Sequence, residues 1–544
     1  MSYFIFVELV IFLFLIVVTR HSYIRTTHFL HVFQQLGYKS PEYWKFIKGN
    51  QLGAFVVTAH LFALPLFLLG FFEARFTVTA YALLISIFGM GFFLPTAYIR
   101  AERPKKPLVY TPRLKRLFAT VIVLYALLVL AGSVPAWQFR ILLPDVTILA
   151  LIWVLADMLT PLFILLAASL MKPVENRIQE GFKHQARQKL AQMRDLRIIG
   201  ITGSYGKTSV KFMIKTLLEE RFSVCFTPGS FNTPMGICKV INSDLQAHHQ
   251  VLVLEMGARY RGNIKELCEI ARPNVAVISN VGKAHLETFG SQQMIAKTKG
   301  ELLLNAQPDA TAVLNSDDSL VMGMEHRQSM RVVPAGLATG IFSVENISYG
   351  REGCSFTLTL KETGESAQVT TRLLGEHTIR NLLLAFGVGH HFGLRLQTMA
   401  LAAARIEPVE HRLELKPAGD ITIIDDAFNS NPVGAKNAVD VLAQFTGGRR
   451  FIITPGMVEL GEEEEAENRA FGRHIGKSGI EGVYLVGPRR TRPIYEGIIE
   501  AGYPEAQVKV FETFFDARDY MNETKQPGDV VLLENDLPDV YNES

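Results

Sequence analysis

Read for the spacing of its apolar positions, the chain divides near residue 172. Before that point apolar residues arrive in long runs, at 3–19, 52–72, 76–98, 117–136 and 146–171. Each is close to the roughly 20 residues that a helix needs to cross a hydrocarbon core. The runs predict an α-helical transmembrane domain of about five helices over 1–171. The first run lacks a basic start and a small-residue cleavage site, so it reads as a retained helix rather than a secretory signal. Stretch 172–195 is charged with helical spacing and predicts a linker helix. From Leu196 onward the pattern shortens. LRIIGIT, VLVLE and NVAVIS read as buried strands separated by helices, an α/β domain with a mostly parallel sheet over 196–407. Segment 338–374 alternates with period two and predicts antiparallel strands. ITIIDD, FIITPG and GVYLVG then predict a second, Rossmann-like α/β domain over 408–544.

Charge adds an orientation. Loop 20–51 carries Arg20, Arg25, Lys39, Lys45 and Lys48 against Glu42, and loop 99–116 is more basic still. Lys172, Arg177, Lys183, Arg187 and Lys189 follow the fifth run, while the loops near 73–75 and 137–145 are nearly neutral. The positive-inside rule then predicts a multi-pass protein of the inner (cytoplasmic) membrane, amino terminus outside and the α/β domains in the cytoplasm. Asp157, within the fifth run, is either a functional carboxylate at membrane depth or a structural one with a polar partner. His60 and Pro65 in the second run pose the same choice. Over 544 residues the net charge is +3, which gives no electrostatic footprint for nucleic acid. Cys225, Cys238, Cys268 and Cys354 form no C-x-x-C pair and read as buried thiols.

Chemistry concentrates after the first β-branched run. Gly203-Ser204-Tyr205-Gly206-Lys207-Thr208-Ser209 stands between a strand and an amphipathic helix. Glycines let backbone N–H groups turn toward phosphate oxygens at a helix's positive end. Lys207 is placed to neutralise phosphate charge and the Thr208 hydroxyl to hold Mg²⁺. The strict phosphate-loop spacing is off by one, because position 201 is Ile and Gly200 comes a residue early. Glu255 closes the next strand and His285 follows the third. In an open parallel sheet both would face a nucleotide bound at Lys207.

Seven segments in order, TGSYGKTS (202–209), LEMGA (254–258), NVGKAHLETFGS (280–291), IAKTKGEL (295–302), GEHTIRN (375–381), DDAFNSNP (425–432) and GMVELGE (456–462), resemble the Mur ligases, nearest their D-alanyl-D-alanine-adding branch. The resemblance covers about 197–540. It implies ATP as cosubstrate, with two Mg²⁺ ions held by Thr208, Glu255, His285 and Lys299. Lys299 matches a lysine that is carbamylated in related ligases. Asn381 matches an adenine contact, Arg412 a linker arginine that reaches the phosphates, and Asp426 and Asn431 a nucleotide-facing loop. Such ligases join a carboxylate to an amine through an acyl phosphate, with lysines and metal ions stabilising the transferring oxygens.

The chain departs from this pattern in three places. Apolar helices stand where the family's sugar-nucleotide-binding domain is expected. Thr378 replaces a frequent Asn. Glu534-Asn535-Asp536 replaces a lysine-glycine-serine-like turn, which leaves the amine, an amino acid or a dipeptide, open. The first departure predicts a membrane-held, lipid-linked carboxylate from the cell envelope. A polyglutamate-type synthetase shares the same core. A non-catalytic membrane scaffold is the alternative from a different class, against which stand Lys207, Thr208, Glu255, His285 and Lys299.

Overall fold

Alternate residues of each central strand feed two different cores, and that fixes the architecture around the site. The computed structural model describes residues 2–55, 107–138, 152–153, 155–282, 286–350, 353–408, 410–427, 430–445, 448–458 and 460–536. They fall into two compact units, one running to Ile178 and one beginning at Gln179.

The first unit is helical, with helices Ser2–Gln35, Ser40–Phe55 and Pro112–Gln138 and the start of a long helix Thr160–Gln192. Phe33, Tyr43, Leu114, Val121 and Ile164 are buried at its core. The run 3–19 is not a self-contained span. Its helix continues through Arg20, His21 and Arg25 because Phe29, Leu30 and Phe33 recur at helical spacing and are buried. The expected loop 20–51 is therefore mostly helical. The fifth run and the expected separate linker helix join in one helix, Thr160–Gln192, with Pro173 inside it.

The multi-pass placement is corrected accordingly. Among the described residues one helix, Pro112–Gly132, is long and apolar enough to cross a membrane. The predicted orientation needed five alternating spans and falls with them. Runs 52–72 and 76–98, apart from residues 52–55, lie outside the described residues, as do His60 and Pro65. Asp157 is fully buried, and its partners favour the structural reading. Ser22 Oγ donates to its carboxylate at 2.7 Å, while Arg25 Nε and His21 Nε2 each stand 3.4 Å from its other oxygen.

The second unit opens with β1 (Arg197–Thr202), β2 (Val224–Phe226), β3 (Val251–Glu255), β4 (Val275–Ile278), β5 (Thr311–Leu314) and β6 (Arg331–Pro334). They form a parallel sheet in the order β2-β3-β1-β4-β5-β6. β3, β4 and β5 are buried along their whole lengths, as a parallel sheet covered on both faces requires. Ile199, Ile201, Val251 and Val253 enter one core, with helices Lys207–Leu218 and Glu376–His391. Ile198, Leu252 and Leu254 enter the other, with helices Asn263–Ile270 and Gln292–Asn305. This is the period-two alternation of a strand. The expected antiparallel insertion is present as β7 (Phe342–Gly350), β8 (Gly353–Leu360) and β9 (Ser366–Thr371).

A second sheet holds β10 (Glu414–Ala418), β11 (Ile421–Asp426), β12 (Arg450–Thr454), β13 (Gly482–Val486), β14 (Val508–Phe511) and β15 (Val530–Glu534). Its order is β10-β11-β15-β12-β13-β14, parallel except for β10. All four cysteines are buried without disulfides. Burial pushes the Cys225, Cys238 and Cys354 thiols up to about 11, and Cys268 to about 12.

Candidate active site

Candidate site side chains gather at the carboxyl ends of the strands, where connecting turns in an open parallel sheet leave backbone groups open to a ligand. After β1 the chain needs two conformations closed to most residues. Gly203 has φ 155° and Gly206 φ 76°. A Cβ at Gly203 would meet Ser279 Oγ at 1.9 Å, and one at Gly206 would meet Asn381 Oδ1 at 2.6 Å. Torsion therefore favours glycine at both positions, and a Cβ would also displace the Ser279 or Asn381 side chain. Helix Lys207–Leu218 starts directly after Gly206, with its positive end facing the turn. The turn is tied to the loop after β4. Ser204 N donates to Asn280 O at 2.9 Å and Tyr205 N to Asn280 Oδ1 at 2.9 Å. Lys207 Nζ folds back onto the carbonyl oxygens of Gly203 (2.8 Å) and Ser204 (3.0 Å).

Glu255, at the end of β3, is the hub of the site. Its carboxylate accepts from Thr208 Oγ1 at 2.9 Å, Lys211 Nζ at 3.3 Å and Asn232 Nδ2 at 3.0 Å. It is 1 % exposed. Burial alone would raise its carboxyl, but Lys207, Lys211 and the bonds from Asn232 and Thr208 outweigh burial and hold it below the ordinary range. Burial, countered by Glu255 and joined by Arg412, brings the Lys207 ammonium down to about 8. Lys299, on helix Gln292–Asn305, is buried. First burial and then the like charge of Lys207 push it well below the usual lysine value.

A cavity of about 560 Å³ adjoins this hub. Gly206, Ser209, Asn381, Arg412, Asp426 and Asn431 line it, so both sheets contribute. Asn381 reaches it from helix Glu376–His391. Asn431 caps helix Pro432–Ala443, its Oδ1 accepting from Gly434 N at 2.8 Å. Burial raises the Asp426 carboxyl to about 6, against a bond from Leu413 N and the charge of Arg412. The structure thus brings together the expected residues of both sheets, while His285 lies outside the described residues. Lys211 and Asn232 are members of the hub that the motifs did not single out. A lysine on the apolar face of its helix, between Val210 and Met213, was the signal available for Lys211.

The donors suit Mg²⁺. Among the described residues no three His, Cys, Asp or Glu side chains converge on one point. The Thr208 hydroxyl and the Glu255 carboxylate supply hard oxygen ligands, and Mg²⁺ ordinarily completes such a pair with phosphate oxygens and water.

Residues 201–389 match the family model of the Mur ligase middle domain, and residues 411–534 match that of the Mur ligase glutamate ligase domain. A "UDP-N-acetylmuramoyl-tripeptide--D-alanyl-D-alanine ligase" of Mycobacterium bovis is 33% identical over 364 residues, 62% of this chain and 70% of that one. The chain belongs to the Mur ligase family. It is an ATP-dependent, ADP-forming carbon–nitrogen ligase of the kind that works in peptidoglycan synthesis. MurF from Thermotoga maritima in complex with ADP matches with a TM-score of 0.58 and 26% identity, over 66% of this chain and 80% of that one. MurF from Acinetobacter baumannii shares the fold, with a TM-score of 0.60 at 24% identity over 66% and 77% of the two chains. In this Mur ligase the matched part begins after the helical unit.

Proposed function

We propose that this ligase joins a cell-envelope carboxylate to the amine of an amino acid or dipeptide through an acyl phosphate. The observation that carries the reading is the buried Glu255 hub, with Thr208, Lys211 and Asn232 on one carboxylate beside Lys207 and Lys299. A substrate carboxylate oxygen attacks the γ-phosphorus of ATP, the bond to the bridging β-oxygen breaks, and ADP leaves. The amine nitrogen then attacks the acyl carbon, phosphate departs, and the nitrogen's surplus proton passes to solvent. Lys207 and Arg412 bind the phosphates. Asn381, Asp426 and Asn431 orient the nucleoside, and Gly203, Ser204, Gly206 and Ser209 shape the cradle. Thr208, Glu255 and, from its motif, His285 would hold Mg²⁺, which when bound neutralises charge on the transferring oxygens. Lys299, whose burial and the like charge of Lys207 disfavour the ammonium form, is suited to add CO₂ and, with its surplus proton passing to solvent, become a carbamate, an anionic ligand for a second ion.

The relatives' name makes a UDP-linked muramoyl tripeptide the first carboxylate to test and D-alanyl-D-alanine the first amine. The apolar amino-terminal runs make a lipid-linked carboxylate the second. The test is phosphate release by the full chain with ATP and Mg²⁺, each carboxylate being paired with a panel of amines. Release should require both partners and fall about a hundredfold or more in Lys207→Ala. ATP hydrolysis that ignores carboxylate and amine would overturn the reading.

A further inference from the structure

Arg412 lines the nucleotide cavity and also a second cleft of about 960 Å³, whose walls include Thr208, Phe231 and His411. The backbone on each side of it is left-handed without glycine, with φ 60° at His411 and 47° at Leu413. A free linker abandons such a conformation, because a side chain then crowds its own backbone. It persists where the surroundings hold it, and such held residues cluster at functional sites.

The bonds that hold it come mainly from the end of β11. Asp425 Oδ2 stands 2.8 Å from His411 Nδ1, and Lys416 Nζ donates to the same oxygen at 2.6 Å. Ala427 N donates to Asp425 Oδ1 at 3.2 Å. Leu413 N donates to Asp426 Oδ1 at 3.1 Å, and the Leu413 side chain is buried in the core of the second sheet. Asp425 faces Glu414 across the β10–β11 ladder, and Glu414 accepts from His411 N at 3.2 Å. The catch is thus built into the sheet. Asp426 lines the nucleotide cavity, whereas Asp425 is not among its lining residues.

We propose that Asp425 is a positioning residue: through His411 it holds the left-handed linker that aims Arg412 at the nucleotide. This rests on the phosphate-binding role proposed for Arg412. Leu413 is pinned by its buried side chain, so His411 is where the linker would relax if the catch were lost. Glycine at that position takes the left-handed turn without a catch, and alanine does not.

The test is ATP affinity, read by calorimetry with Mg²⁺ on the full chain. The variants are His411→Ala, His411→Gly, Asp425→Asn and the double variant His411→Gly/Asp425→Asn. His411→Ala should weaken ATP binding about tenfold, and His411→Gly should stay within about threefold of wild type. Asp425→Asn should weaken binding about tenfold alone and less than about twofold further on the glycine background. Equal losses for alanine and glycine would overturn the proposal. So would an Asp425→Asn loss of the same size in both backgrounds, which would mean that Asp425 acts on the ligand directly. If Asp425→Asn fails to fold, the alanine–glycine comparison decides alone. A wild-type chain that binds no ATP would instead overturn the ligase reading, with every variant equally silent.

Discussion

Glu534 ends β15 with 1 % of its surface exposed, and it accepts hydrogen bonds from the hydroxyls of Ser430 and Thr454. Burial is the largest influence on it and, with the nearby Asp426 charge, raises its carboxyl from 4.5 to about 7, the two hydroxyls opposing. The folded chain therefore keeps this proton after the unfolded chain has lost it. Its contribution to stability is complete below about pH 4.5 and is lost as pH rises to about 7, on the order of 3 kcal/mol. Glu534→Gln should flatten that decline in urea titrations at stepped pH. Some slope should remain, because Asp426 is raised in the same direction. An unchanged slope would clear Glu534 as its source. The sequence marked Lys207, Thr208 and Glu255, since a turn and a strand end place them without help from the rest of the chain. Lys211 and Asn232 were not legible in that way. Lys211 lies four residues beyond Lys207 on one helix face, which looked like core, and Asn232 reaches Glu255 from a loop with no periodicity.

At the scale of elements, the turn after β1 forms because two glycines let a strand run straight into a helix. Gly203→Ala forces a Cβ to within 1.9 Å of Ser279 Oγ at a torsion of 155°. It should lower the melting temperature and abolish measurable ATP binding, checked by thermal shift with and without ATP. A Gly203→Ala chain that bound ATP normally would show that the turn is not the cradle. Strands β1, β3 and β4 were readable because a parallel sheet covered on both faces demands near-continuous apolar runs. The amino-terminal run 3–19 was misread as a self-contained span for a related reason. Length and hydropathy alone do not separate a span from a long helix whose buried stripe lies between charged residues, and Arg25 with Asp157 sits inside such a core.

At the scale of the whole molecule, two units with separate cores predict two unfolding transitions rather than one. Scanning calorimetry with ATP at about a hundred times its Kd should raise a single transition, that of the unit beginning at Gln179, by about 2.7 kcal/mol. Lys207→Ala should remove that rise. A single transition that rises as a whole would mean that the units unfold together. The four buried, high-pKa thiols have a practical corollary for following such events. A maleimide dye at neutral pH needs thiolate and access, and none of the native cysteines offers both. Val433 and Leu401 are 54 % and 62 % exposed, on helices that follow β11 and precede the Arg412 linker. Val433→Cys with Leu401→Cys would carry a donor–acceptor pair in the otherwise native chain, and any change in the distance between these two helices on adding nucleotide would be read as a change in transfer efficiency.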